Sequence, residues 1–256
     1  MFVDTHCHLN DEKFTDVSQV ISEFTDNKVT KVINMGCDIA SSLYGLELSS
    51  KNPSVYFAAG IHPSDVYKFT NESLGLIEKM SSHPKCVAIG EIGLDYYWVK
   101  DNIDLQKKVF ISQLELASQL KLPVSIHNRE ATLDMLTILK DNKNLISNGA
   151  VMHCFSGSIE TAKELIKLGV YISFGGTLTF KNAVNIKEVA KNIPLEFILT
   201  ETDSPYLSPE PFRGKINSPK NVKLVTEYLA FLRGEPIDKI ANAVMDNALR
   251  LFKKLS

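Results

Sequence analysis

The chain is poor in the features that mark specialised protein classes. Its four cysteines, Cys7, Cys37, Cys86 and Cys154, contain no C-x-x-C pair, which argues against a zinc ribbon or a disulfide framework. All four lie in apolar runs and read as small core residues of a protein kept in a reducing cytoplasm. No apolar run approaches the length of a membrane span, and Asp4 and His6 break up any signal-peptide pattern at the start. A net charge of −2 gives no general attraction to nucleic acid, so any such contact has to be local. There is no linker, low-complexity tract or block of like charge to divide the chain. The expectation is one domain over residues 1–256, cytoplasmic, with no membrane association and no evident protein partner.

What is present is alternation. Short apolar, β-branched runs at 2–9, 32–36, 55–61, 87–91, 123–127, 150–153, 170–174 and 197–201 read as strands. Between and after them, apolar residues at helical spacing mark 17–27, 41–50, 71–80, 103–120, 131–139, 159–168, 182–191, 222–232 and 237–251. Buried parallel strands look like this, and eight repeats in 256 residues predict an α/β fold, a closed (β/α)8 TIM barrel. An open doubly wound sheet is the alternative, but no Gly-rich fingerprint follows the first strand.

The chemistry-bearing residues collect at the strand ends, where such barrels place their sites. His6 and His8 share a face of the first strand, with Asp4 one layer deeper as a supporting carboxylate. Glu91 ends the fourth strand, His127 the fifth and His153 the sixth, and Asp203 follows the eighth. Four of the chain's six histidines fall at these positions, too many to dismiss as core residues. Four imidazoles and two carboxylates exceed the needs of one tetrahedral ion with an open position. They suit two divalent ions sharing a carboxylate, with Glu91 the natural bridge.

Other residues point to substrate. His62 has the opposite parity, precedes Pro63, and reads as a loop residue reaching toward substrate. His83 reads as surface. Arg129 and Arg213 lie just past the fifth and eighth strands, where a guanidinium can grip a phosphate. Tyr96, Tyr97 and Trp98 follow the fourth strand, and there they either stack a base or pack the loop. Glu201 reads as support for the ligands.

Taken together, several segments resemble the TatD family of metal-dependent deoxyribonucleases. They are Asp4-Thr5-His6-Cys7-His8, Gly60-Ile61-His62-Pro63, Gly90-Glu91-Ile92-Gly93-Leu94-Asp95-Tyr96-Tyr97 and Ile126-His127-Asn128-Arg129. Met152-His153-Cys154-Phe155-Ser156-Gly157, Glu201-Thr202-Asp203-Ser204-Pro205-Tyr206-Leu207 and Arg213-Gly214-Lys215 complete the set. The resemblance covers essentially the whole chain. It implies a barrel of the amidohydrolase-like kind, a divalent-metal DNase, and ligands at His6, His8, Glu91, His127, His153 and Asp203. It also implies Mg²⁺, although mixed His and carboxylate ligands suit Zn²⁺ and Mn²⁺ too. One stretch departs from the pattern: the family reads Arg-Asn-Glu-Pro where this chain has Ile216-Asn217-Ser218-Pro219, which affects substrate contacts rather than the metals.

The expected activity is hydrolysis of DNA phosphodiester bonds, as a 3′-5′ exonuclease on single strands or 3′ ends. The nucleophile is a metal-activated water, and Asp203 is the expected base. Glu91 is counted with Asp203 as catalytic, through its bridging position. A C–N hydrolase such as a deacetylase or deacylase is the competing enzyme. A non-catalytic barrel ranks last, because it would not need ligand-type residues on five strands.

Overall fold

The computed structural model describes residues 1–255. Eight strands form one sheet in sequence order, every recorded neighbour pair parallel. They are β1 (Phe2–Cys7), β2 (Val29–Met35), β3 (Val55–Ala59), β4 (Cys86–Asp95), β5 (Val124–Arg129), β6 (Ala150–Met152), β7 (Val170–Phe174) and β8 (Ile198–Thr200). The α-helices are α1 (Val17–Ser22), α2 (Ile39–Lys51), α3 (Asn71–Ser81), α4 (Ile103–Leu120), α5 (Thr132–Asp141), α6 (Ile159–Lys167), α7 (Val184–Asn192), α8 (Val222–Arg233) and α9 (Ile237–Leu251). Parallel neighbours need a crossover between them, and the intervening helices supply it. Among the described residues no helix is long and apolar enough to cross a membrane.

The barrel closes just past β8. Cys7 and Ser204 form a parallel bridge. Asp203 N–H donates to the His6 carbonyl at 2.9 Å, and His8 N–H to that of Ser204 at 2.7 Å. Asp4, fully buried, accepts from the Thr202 backbone N–H at 2.9 Å and from its hydroxyl at 2.5 Å. Asp4 therefore holds the β1–β8 seam instead of orienting a ligand imidazole. Burial of an ionisable group so far from water needs such partners. Cys7 and Val32 join the apolar cluster that includes Val222 of α8 and Ala241 of α9, and the β1–β2 register shifts between Asp4 and Cys7, which breaks the alternation that would set Asp4 beside His6.

Two elements differ from expectation in ways that matter. Helix α1 ends at Ser22, because the Asn27 side chain takes the Glu23 carbonyl at 2.8 Å and Lys28 turns left-handed. Local Asx bonding of this kind competes with helix. Strand β4 runs four residues past its expected end, and Gly93 is the reason. With φ +146°, Gly93 pairs with His127, and a Cβ there would lie 2.0 Å from the His127 carbonyl oxygen. The glycines that look like a strand terminus are what allow β4 to continue.

Candidate metal centre

Glu91 is central because β4 bulges. The β4–β5 register shifts between Ile89 and Ile92, so Gly90 and Glu91 leave the ladder with β5. The Glu91 N–H instead donates to the Gly36 carbonyl, just past β2, at 2.7 Å. Gly60 makes room, since a Cβ there would meet the Gly90 carbonyl carbon at 2.9 Å. The bulge turns the Glu91 carboxylate into the mouth, buried, with its two oxygens facing opposite ways.

Oε2 faces the seam. It lies 3.2 Å from His6 Nε2 and 3.5 Å from His8 Nε2. Asp203 Oδ1 lies 3.4 Å from His8 Nε2 and 3.7 Å from His6 Nε2, and the two Nε2 atoms are 3.2 Å apart. Oε1 faces the other side, 2.9 Å from both His127 Nδ1 and His153 Nε2, which lie 3.1 Å from each other. Lone pairs crowded this closely repel unless protons or a cation lie between them. Nitrogen and oxygen ligands at metal-bond length around a tetrahedral ion sit roughly 3.3–3.5 Å apart. The donor set thus fits divalent cations in both clusters, and His6, His8, Glu91, His127, His153 and Asp203 come together as candidate ligands.

The other nitrogen of each histidine faces a different partner, and that of His153 is buried without a hydrogen bond among the described residues. His127 Nε2 lies 2.9 Å from Asp95 Oδ2, and His153 Nδ1 lies 3.4 Å from Glu201 Oε1. His6 Nδ1 lies 3.5 Å from the Ser125 hydroxyl, and His8 Nδ1 lies 3.7 Å from the Cys37 sulfur. Such outer contacts fix the tautomer that leaves a lone pair for a cation. Sequence reasoning gave no such role to Asp95, Cys37 or Ser125. Cys37, expected in the core, is half-buried at the mouth because β2 ends two residues before it. Its sulfur is also 4.0 Å from Glu91 Oε2. Asp95 lies beyond the expected end of β4, and the continuation of the strand past the bulge and Gly93 sets it beside Arg129, with its carboxylate within 2.9 Å of His127.

The electrostatics follow from this packing. Burial alone would push Glu91 up, but His153, His62, His6 and His127 outweigh it and hold the carboxyl well below its ordinary range. Burial favours neutral His153, yet Glu91 and Glu201 raise it well above 6.5. His127 is raised against the same penalty by Asp95 and Glu91. Asp203 is held below the usual carboxylate range, the surrounding histidines again outweighing burial. Burial pushes the Cys37 thiol up, so it is a neutral partner.

His62 caps the short 3₁₀ helix Pro63–Lys68, its Nδ1 accepting from Ser64 N–H at 3.1 Å. The proton then resides on Nε2, which lies 3.4 Å from Glu91 Oε1, and burial keeps the ring from charging. His62 is a neutral donor aimed into the centre. Arg129 and Arg213 are exposed, and among the described residues neither joins an ion pair. Arg213 lies over the Phe180 ring at 4.2 Å. The departure at 216–218 leaves its loop anchored. Buried Asn217 donates to the Thr202 and Tyr206 carbonyls at 2.9 and 2.7 Å and accepts from Asn221, while Ile216 is 60% exposed.

A family model described as TatD related DNase matches residues 3–253. This chain belongs to that family. Sequence relatives and a solved structure share its full extent. An uncharacterized metal-dependent hydrolase of Bacillus subtilis, YabD, is 46% identical over 254 residues, covering 99% of each chain. A second, YcfH of Escherichia coli, is 36% identical, covering 98% of this chain and 95% of its own. The solved structure of YjjV, a TatD homologue from Escherichia coli, superposes with a TM-score of 0.91 at 33% identity, covering 98% of both chains. The chain is a TatD-family metal-dependent hydrolase on a TIM barrel.

Proposed function

We propose that the chain hydrolyses DNA phosphodiester bonds, using two divalent ions that share Glu91. One observation carries the reading: a single buried carboxylate presents one oxygen to His6 and His8, which Asp203 also faces, and the other to His127 and His153. In this reading His6, His8 and Asp203 would hold one ion and His127 and His153 the other, with Glu91 available to both. Mg²⁺ is the expected ion, with Zn²⁺ or Mn²⁺ suited to the same donors. When bound, the ions supply a water made nucleophilic near neutral pH and stabilise charge on the phosphoryl oxygens.

The protein's own groups do the rest. Asp203 is the base: its carboxyl is held ionised and its side chain is 14% exposed, against 3% for Glu91. A reacting water at the mouth therefore meets Asp203 and not the sealed bridge. The His62 Nε2–H donates to a phosphoryl oxygen, and Arg129, at the end of β5, and Arg213, past β8, supply positive charge. That pair of unpaired guanidinium groups supports a phosphate substrate over the amide of a C–N hydrolase. Removal of nucleotides from 3′ ends of single strands is the expected form of the activity. The four free cysteines accord with a reducing cytoplasm.

The test is turnover of 3′-labelled single-stranded DNA by EDTA-treated protein with Mg²⁺, Mn²⁺ or Zn²⁺ added back, beside an acetylated-amine panel. Metal-restored shortening of the DNA from its labelled end supports the reading. Turnover of the amides alone transfers the site to the C–N hydrolases.

A further inference from the structure

The turn after β4 separates its three aromatic residues. Tyr96 packs the loop: its ring lies against the core and its hydroxyl donates to Asp134 Oδ2 at 2.8 Å. Tyr97 and Trp98 stay outside, 43% and 68% exposed, with ring centroids 4.8 Å apart and planes at 86°. Arg129, paired with Asp95 across the β4–β5 ladder, lays its guanidinium 4.0 Å from the Tyr97 ring centre and 5.2 Å from that of Trp98. It is therefore already oriented by the two rings and bound to no carboxylate among the described residues.

This cluster is rigidly mounted on the metal centre. Asp95, fully buried, accepts from Tyr97 N–H at 2.9 Å and Trp98 N–H at 2.8 Å through Oδ1. Its Oδ2 meets His127 Nε2 at 2.9 Å. Buried Gln106 of α4 clamps the same turn, accepting from Asp95 N–H and donating to the carbonyls of Asp95 and Val99. One carboxylate thus fixes both a candidate metal ligand and the turn that displays the two rings.

We propose that Trp98, Tyr97 and Arg129 form a stacking platform for the nucleobase next to the scissile phosphate. Asp95 is the positioning residue that ties this platform to His127. The argument is chemical. A large exposed indole beside a flat, unpaired guanidinium offers π-faces to a base and positive charge to its phosphate, and it is placed one ligand away from the reacting centre. Arg129 then acts chiefly through its plane, as part of the stack. Every base has a π-face, so the platform holds a base without reading its identity. A base within a duplex is stacked on both sides and has no face to offer. The inference rests on the phosphodiesterase reading for its substrate, and its test is separable from that reading.

Trp98 is the chain's one tryptophan, so its fluorescence reports on the platform alone. A phosphorothioate single-stranded oligodeoxynucleotide is titrated into the metal-loaded protein, beside the same oligonucleotide made abasic. Saturable quenching by the first, at concentrations where the second gives none, is expected. In kinetics, Trp98→Ala should cut the kcat/KM preference for base-bearing over abasic oligonucleotide by about 5- to 100-fold, the range of one lost stack. Trp98→Phe, which keeps a ring, should restore most of it. Equal quenching by both oligonucleotides, or an unaltered preference in Trp98→Ala, overturns the platform. Base-dependent quenching without hydrolysis by any metal form would support the platform while removing the phosphodiesterase reading.

Discussion

The two halves of the centre share one carboxylate but are supported differently. On the β5–β6 side, His127 backs onto Asp95 at 2.9 Å, and His153 faces Glu201 at 3.4 Å. On the seam side, His6 and His8 back onto a serine hydroxyl and a neutral thiol at 3.5 and 3.7 Å. An anionic partner raises the basicity of a ligand imidazole, whereas a neutral one mainly orients it. Under the two-ion reading, the contrast would make loss of an outer partner costlier on the β5–β6 side than on the seam side.

Breaking the shared element should have the largest effect. Glu91→Ala removes both halves at once. Activity should fall to background and metal content should drop in plasma mass spectrometry, while circular dichroism keeps the barrel signature, since the strands pack without the ions. Retained activity would remove the bridge. Asp203→Asn comes next, because it keeps the shape and discards the charge that accepts a proton. Turnover should fall at least ~10²-fold, the lower end for acid–base catalysis, with DNA affinity nearly the same. Turnover within a few-fold of the parent at saturating metal would pass the base role to Glu201.

The asymmetry itself is sharpened by paired variants. Asp95→Asn should weaken one ion by about 10–100-fold in chelator competition. Cys37→Ala should weaken the other by only a few-fold, with Cys37→Ser between it and the parent. Equal losses would erase the distinction between the halves.

Protons compete for the same nitrogens, and the sign can be worked out. His127 and His153 both titrate above 6.5 in the folded chain. The stability they lend the metal-free protein is fully present below the unfolded value of about 6.5 and is lost as pH rises through their folded pKa values. A cation needs both nitrogens bare, so its stabilisation grows over that interval. The gap in Tm between metal-loaded and metal-free protein should widen as pH rises from about 6.5. A gap independent of pH would show that these two imidazoles do not exchange protons for metal. The smallest effect is expected at the rim. Arg213→Ala should raise the KM for DNA several-fold with little change in kcat, as loss of uniform phosphate binding does.

The six candidate ligands were legible in the sequence because each ends or closely follows a short apolar strand, and alternation gives each a face. The barrel was legible for the same reason. What places Glu91 was not. Parity with Val87 and Ile89 puts it on the correct face, but its reach to the centre comes from a bulge, and its N–H is satisfied by the Gly36 carbonyl just past β2. The outer partners were hidden for related reasons. Asp95 sits past two glycines that mimic a strand end, and Cys37 looks like any small residue in an apolar run. Asp4 carries the right chemistry in the wrong place, because closing the β1–β8 seam leaves the Thr202 N–H and hydroxyl in need of an acceptor. Contacts made across the barrel have no local period to announce them.

The most direct test of the shared carboxylate is anomalous diffraction from crystals grown with Mn²⁺ or Zn²⁺. Two peaks about 3.5–4 Å apart are expected. One should lie among His6, His8 and Asp203, the other between His127 and His153, with Glu91 Oε2 on the first and Oε1 on the second. A single peak at full metal occupancy, or two peaks with Glu91 bound to only one of them, would contradict the account.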